Sequence, residues 1–572
     1  MTTLVIRRTL LDYVRRPLNV ALLVAVPIVI VIALAGDLAN LSKLVSTTAK
    51  PLHLDVATAG WAAALVAGLA GFFQVVGAKD ADRRLAALSP RSAASVIAGR
   101  LLAAAGLAFA ASAAALVALS LHSGIADPVR AIPAVVLVAV LYVSIGVVVG
   151  TLVRSEMNGA LIVSVVWMLD VFVGSGLGGG SAVYIRAFPL HFPTMVLTAQ
   201  AARHGGPVGD VGWSLIWTVV IGALAVARLT STLRPTRRAQ SNTRDIVAVA
   251  TAEAGEATGS EAVSTHLRVA TRAETHPAVV RVPASGVGAA LWAAVRDYRR
   301  NRVLWILIVA VPAFFVAMAA AQTPTTPMPV SLIDGVRHFT SVISLRHIHA
   351  AEMASVATAL LAGVTGLFVV TGSVDGDRRL VLAGIRPRHA LVGHLGVIAG
   401  AVLLITLVSL AVSAAFFSPQ LWAEYFGADL LLALTYAMIG VLLGPLVGRL
   451  GGLYLVLLLA IVDVGYGQTV MFHPLPPAWG AFLPARGTGR LLLDGAFSSG
   501  FEQYGYLFLA LAWLALLSLA AVLTFRRQIG VRTIPQLRIP AAEAASQQFQ
   551  QGRPPGPVGW SDRRSRRKKG GL

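Results

Sequence analysis

Residues Val402 to Phe417 read VLLITLVSLAVSAAFF, and a helix drawn through them has no polar face. A helix that is apolar all round belongs in a protein core or in a membrane. The rest of the chain decides between the two. It holds several apolar stretches of about 18 or more residues, and at about 1.5 Å per residue each reaches across a hydrocarbon layer about 30 Å thick. Hydrophobic residues fill 56% of the 572 positions and charged residues only 13%, against roughly 25% charge in soluble domains. The fold class is therefore all-α polytopic membrane protein. A membrane β-barrel would instead show segments of about ten residues alternating apolar and polar.

Twelve spans are expected. Six lie at Leu18 to Ala35, Ala57 to Val76, Leu101 to Leu121, Ala131 to Val153, Gly159 to Gly176 and Val211 to Ala227. Six more lie at Val303 to Ala321, Met353 to Gly372, Ala390 to Phe417, Leu430 to Val447, Leu453 to Gly467 and Gly505 to Phe525. In the first six, the cations of Arg7 to Arg16, Lys79 to Arg100, Arg154 and Arg228 to Arg238 fall on one side. Only Lys43, Lys50, Arg130, Arg186 and Arg203 fall on the other. Positive charge is retained on the cytoplasmic side, so both ends of this half are expected there.

The two groups of spans repeat each other in order. DYVRRPLNVALLVAVP (Asp12 to Pro27) returns as DYRRNRVLWILIVAVP (Asp297 to Pro312), IGVVVGTLV (Ile145 to Val153) as IGVLLGPLV (Ile439 to Val447), and LDVFVG (Leu169 to Gly174) as VDVGYG (Val462 to Gly467). A mid-chain copy also argues against reading the first apolar run as a cleaved signal peptide. An even number of spans per copy gives both copies one orientation, hence two parallel six-helix repeats related by an axis along the membrane normal. The expected organisation is a six-helix half over 1–234, a cytoplasmic linker over 235–288, a second half over 289–530 and a basic cytoplasmic tail over 531–572.

Lys plus Arg outnumber Asp plus Glu by 47 to 26, a formal charge of +21. The cations sit at the ends of apolar segments, where topology requires them, and lysine is confined to Lys43, Lys50, Lys79, Lys568 and Lys569. Nucleic acid is not an expected partner. The tail DRRSRRKKGGL (Asp562 to Leu572) carries a cluster suited to anionic lipid headgroups. Cysteine is absent, which excludes disulfides, thiolate metal sites and cysteine nucleophiles.

One charged passage is also written twice: DADRRLAALSPR (Asp80 to Arg91) and DGDRRLVLAGIRPR (Asp375 to Arg388). Each joins the second and third spans of its half. Asp80 or Asp82 can cap a short helix, Leu85 and Leu88 share a face, and Ser89 before Pro90 ends it. Asp375, Asp377, Leu380 and Pro387 take these roles in the second copy, where Gly384 weakens the helix. A short helix tied to two spans is a lever, and a partner that grips it moves both.

Six spans with a charged first cytoplasmic loop of this form resemble the permeases of ABC-2 type exporters. The resemblance covers both halves. It implies a coupling helix that docks on a separate ATPase subunit, through Asp80, Asp82, Arg83, Arg84, Leu85, Pro90 and Arg91 in one half and Asp375, Asp377, Arg378, Arg379, Leu380, Pro387 and Arg388 in the other. It further implies two copies of that ATPase, with ATP bound there and no cofactor on this chain, and a bacterial inner membrane. The transported compound would be hydrophobic or amphipathic, a drug, lipid or secondary metabolite, with export by alternating access and no reaction catalysed by this chain. It also implies that Arg186 to Leu197 and Ala481 to Leu493 fold partly back into the membrane. Consistent with a separate ATPase, the chain contains no Gly-rich phosphate loop ending in Gly-Lys-Ser or Gly-Lys-Thr.

Asp170 and Asp463 lie inside the fifth span of each half, where an ionised carboxylate costs several kcal/mol on the order of insertion scales. They form an expected intramembrane polar pair, brought toward each other by the repeat axis. They either lock helices or line a path, and in a second reading they couple transport to protons. GSGLGG (Gly174 to Gly179) follows a span with no strand before it, so it is not a dinucleotide site. RHIHAAE (Arg346 to Glu352) does not place its histidines and carboxylate as zinc ligands, and Glu352 is assigned to the positive start of its own helix. Gly146 with Gly150, and Gly440 with Gly444, are spaced for close helix contact.

Overall fold

A computed structural model describes residues 2–15, 17–45, 53–86, 90–153, 155–174, 183–198, 206–233, 288, 291, 292, 295, 296, 298, 299, 302–323, 325–334, 337–382, 387–470 and 478–529. The expected linker and basic tail lie outside these residues, save Gly288. The first set of helices is α1 (Thr2–Val14), α2 (Pro17–Val45), α3 (Leu54–Val76), α4 (Lys79–Ala86), α5 (Pro90–His122), α6 (Pro128–Leu152), α7 (Glu156–Leu169), α8 (His191–Thr198) and α9 (Gly206–Leu233). The second set is α10 (Arg302–Gln322), α11 (Leu345–Leu382), α12 (Pro387–Ser413), α13 (Trp422–Leu459), α14 (Arg486–Phe497) and α15 (Tyr504–Ile529).

Among the described residues, 10 helices are long and apolar enough to cross a membrane. The protein is a multi-pass, predominantly helical membrane protein. Two of the expected spans take another form. Helix α7 is short and ends in a π-helical turn, Asp170–Gly174. The apolar stretch Trp422–Gly467 runs 46 residues, about twice what one crossing needs. Its helix is broken at Gly448, where φ is 75° and ψ is −176°. Only glycine takes that conformation without strain.

The helical architecture carries one small two-stranded sheet among the described residues. Strands β1 (Pro327–Asp334) and β2 (Arg337–Ser344) form an antiparallel hairpin between α10 and α11, with Pro327 opposite Ser344 and Asp334 opposite Arg337. Val330 and Ile343 are buried with Ile348, Val470 and Leu493, so the hairpin is held by a small apolar cluster of its own.

Helices α3 and α11 are the most enclosed spans, 94% and 89% buried, whereas α9 and α15 are only 17% buried and lie at the periphery. Close approach explains the packing at the centre. A Cβ added at Gly146 of α6 would sit 2.0 Å from the Gly68 carbonyl of α3, and one added at Gly440 of α13 would sit 2.0 Å from the Gly363 carbonyl of α11. The same contact thus occurs once in each set. Missing side chains let the backbones meet and pack by dispersion, the main attraction available between helices in lipid. The expected regions Arg186 to Leu197 and Ala481 to Leu493 become α8 and α14, each preceded by a 3-10 turn (Val183–Ala187 and Ala478–Phe482). Both helices are too short to cross a membrane.

Candidate functional site

Helix α4 forms as the charged sequence predicts, with acids in its first turn and Arg83 and Arg84 in its last, an order that complements the helix dipole. Its polar groups are bonded to three other helices. Lys79 Nζ donates to the Gly150 and Thr151 carbonyls at the end of α6, both at 3.2 Å. The Arg83 Nε donates to the Thr232 carbonyl near the end of α9 at 3.3 Å. Asp82 accepts two bonds from Arg100 of α5, at 2.9 and 2.8 Å, and Arg100 donates a third to Thr9 of α1 at 3.0 Å.

The acids of α4 therefore divide. Asp82 is 6% exposed and is bonded to Arg100, so it anchors α4 to α5. Asp80, Arg83 and Arg84 are exposed. Leu85 is half-buried. Leu88 and Ser89 lie outside the described residues, and Pro90 and Arg91 begin α5. In the second copy, Asp375, Asp377, Arg378, Arg379 and Leu380 lie in the last turns of α11, which continues without a break to Leu382, and Pro387 and Arg388 open α12. Gly384 lies outside the described residues.

The two inward carboxylates do not pair with each other. Asp170, at the π-helical turn after α7, accepts from the hydroxyl of Tyr142 on α6, and its other oxygen faces the Leu190 N–H at 3.4 Å, just before α8. Asp463 accepts from Tyr436 of α13 at 3.0 Å, from Gln468 at 3.1 Å and from the Ala485 N–H at 2.9 Å, just before α14. Each carboxylate thus fixes the start of a short helix to a tyrosine of its own set, and both are essentially fully buried. Each carboxylate of the expected intramembrane pair is thus bonded within its own set. Tyr142 and Tyr436 were not read from the sequence, yet each stands three residues before the repeated Ile-Gly (Ile145 and Ile439), which is the signal that marks them.

Removing the acceptor strands two donors at once. Asp463→Ala leaves the Ala485 N–H and one hydrogen of the Gln468 amide unsatisfied, at about 1–3 kcal/mol each, while the Tyr436 hydroxyl keeps the Leu459 carbonyl and the Gln468 amide keeps the Gly480 carbonyl. The expected result is a sharply lower thermal unfolding midpoint, with Asp463→Asn keeping part of the network and a smaller loss. A proton carrier gives the opposite pattern: Asn retains stability and loses transport. Asp170→Ala and Asp170→Asn repeat the comparison in the first set.

The sets meet at two polar contacts. Tyr454, buried on α13, donates to the Val66 carbonyl of α3 at 2.9 Å. Arg449, next to the break at Gly448, pairs with Glu156 at the start of α7 at 2.8 Å and donates to the Thr371 carbonyl of α11 at 2.9 Å. Glu156 follows the end of α6 that Lys79 of α4 also grips, so this tie and α4 share one end of the molecule. The position equivalent to Arg449 in the first set is Ser155, which caps α7 through the Asn158 N–H. The repeat is therefore broken here, and only one such tie results among the described residues.

The chain matches no protein-family model and no curated protein.

A peripheral cavity of about 590 Å³ lies between the α8 region and α9, lined by Arg186, Phe192, Trp213, Ile216, Trp217 and Val220. Phe192 and Trp213 stack at 5.6 Å. Among the described residues no group of three or more His, Cys, Asp or Glu could hold a metal ion. Glu352 does not act at its helix start as expected. It sits two turns into α11, accepting from the Thr469 hydroxyl and from the Val470 N–H, the latter at 2.8 Å.

Proposed function

We propose that this protein is the membrane-spanning subunit of an ATP-driven exporter of the ABC-2 type, worked by separate ATPase chains that grip α4 and the end of α11. The observation that carries this reading is the bonding of α4 to α5, α6 and α9. A short surface helix joined to three others delivers force, because a push on its exposed residues reaches all three at once. Asp80, Arg83 and Arg84 remain exposed to a partner. The Arg449–Glu156 tie resists separation of the sets at that same end, which we take as cytoplasmic on the distribution of Arg and Lys.

On this reading Trp422–Gly467 makes two crossings divided at Gly448, α7 with its π-helical turn makes another, and the total is twelve in two parallel repeats. The recurring glycine contacts and the recurring Asp–Tyr–helix locks support the duplication. Transport proceeds by rocking of the sets about the seam between α3 and α13. The aromatic cavity with Arg186 at its edge suits an amphipathic compound. Engagement of Asp170 and Asp463 in hydrogen bonds to their own sets favours a structural role for them over proton coupling.

The test is biochemical. The tagged chain, purified from native membranes, is expected to bring with it a soluble ATPase bearing a Gly-Lys-Ser or Gly-Lys-Thr phosphate loop, and the complex in liposomes is expected to hydrolyse ATP with vanadate sensitivity. Transport driven by a pH gradient in liposomes holding this chain alone would refute the reading.

A further inference from the structure

Helix α14 places Arg486 and Arg490 one turn apart, on one face. Arg490 is only 6% exposed. Its Nε and the Arg486 Nη1 are buried without a hydrogen-bond partner, and no ion pair joins either guanidinium to a carboxylate among the described residues. The Arg486 guanidinium lies 5.9 Å from the Tyr506 ring centroid of α15. Asp494, one turn further along α14, faces Glu424 of α13 and Ser498 and Gln503 instead. Burial pulls the ionisation of Arg490 down from the usual guanidinium range, and the charge of Arg486 adds to that.

The buried Arg490, with the half-buried Arg486 one turn away, is costly. A buried charge without a partner is destabilising by several kcal/mol, on the order of the penalty for breaking a buried ion pair. The packing of a short helix beside the last span does not require them, since α8, HFPTMVLT, carries no arginine. Something outside the described residues must supply the negative charge. Planar guanidinium groups favour oxyanions, which they hold by paired hydrogen bonds. Helix α15, whose Tyr506 the Arg486 guanidinium meets, exposes Phe508 and Leu511, 75% and 48%, as an apolar track.

We propose that Arg486 and Arg490 form a binding site for the anionic head, phosphate or carboxylate, of an amphipathic molecule whose tail lies along α15. The head belongs either to a membrane phospholipid or to a free amphiphile, and the experiment separates these. The purified full chain is followed by thermal unfolding in a non-ionic detergent with and without dodecyl phosphate, and in nanodiscs of phosphatidylglycerol or of phosphatidylcholine. Dodecyl phosphate is expected to raise the midpoint saturably, as a ligand of the folded state must, and Arg490→Met and Arg486→Gln are expected to lose that rise. A matching rise in phosphatidylglycerol over phosphatidylcholine assigns the site to lipid; a rise with dodecyl phosphate alone assigns it to a free amphiphile. Should Arg490→Met fail to accumulate, Arg486→Gln, on the more exposed residue, carries the test. Wild-type protein indifferent to every anion, or variants that respond as wild type does, would overturn the proposal.

Discussion

Gly146→Ala and Gly440→Ala are each expected to abolish the accumulation of folded protein, while Gly106→Ala and Gly222→Ala leave it unchanged. A Cβ at either of the first two positions meets a backbone carbonyl at 2.0 Å, and nothing lies within 4 Å of the same atom at the other two. A carbonyl held in a helix cannot swing aside as a side chain can. The helix pair has to separate, and α3 with α6 and α11 with α13 lose contact along their length. Overpacking a core by a methylene costs about 1–3 kcal/mol and occasionally more. A clash between backbones lies at the high end, against a total stability of about 5–15 kcal/mol for a typical domain. Size-exclusion profiles and thermal unfolding of the four variants provide the measurement. Wild-type behaviour of Gly146→Ala would mean that α3 and α6 do not meet as described.

The second large effect is at the surface. Replacing Arg83, Arg84, Arg378 and Arg379 together by Glu is expected to weaken ATPase association by roughly 2 kcal/mol or more, on the order of 30-fold, and to stop ATP-driven transport. Membrane insertion and unfolding temperature should stay near wild type, because Arg83 and Arg84 are exposed and surface ion pairs contribute about 0–1 kcal/mol. Asp82→Ala is the contrasting control. It leaves the Arg100 guanidinium, 14% exposed, without its carboxylate, and breaking such a buried pair costs about 3–5 kcal/mol. Its expected defect is in folding. Equal ATPase binding by the quadruple variant and wild type would remove α4 and the end of α11 as docking points.

Reading the charged passage as a helix between spans required only its composition, since Asp and Arg at opposite ends of eight residues, with proline closing the loop, are local signals. Which acid faced inward was not legible. Asp80 and Asp82 are chemically the same, and the choice depends on where Arg100 of α5 arrives, 18 residues away. The carboxylates Asp170 and Asp463 stood out as charges among apolar residues, but apart from the nearby Gln468 their partners lie 20 to 28 residues off, on neighbouring helices and at the starts of α8 and α14. Arg486 and Arg490 drew no notice, because an arginine near a segment end is ordinary until no carboxylate is found paired with it.

The sequence by itself determined that this chain crosses a membrane many times and that charge concentrates in short passages between apolar runs. Those properties follow from single residues and their spacing, because lipid rejects charge and unsatisfied backbone wherever they occur. Tertiary structure alone decided which glycines touch a carbonyl, which acid anchors α4, where Asp170 and Asp463 find their donors, and that two arginines of α14 lack a counter-charge. Each of these depends on atoms brought together from distant parts of the chain, and distance along a sequence carries no information about separation in space.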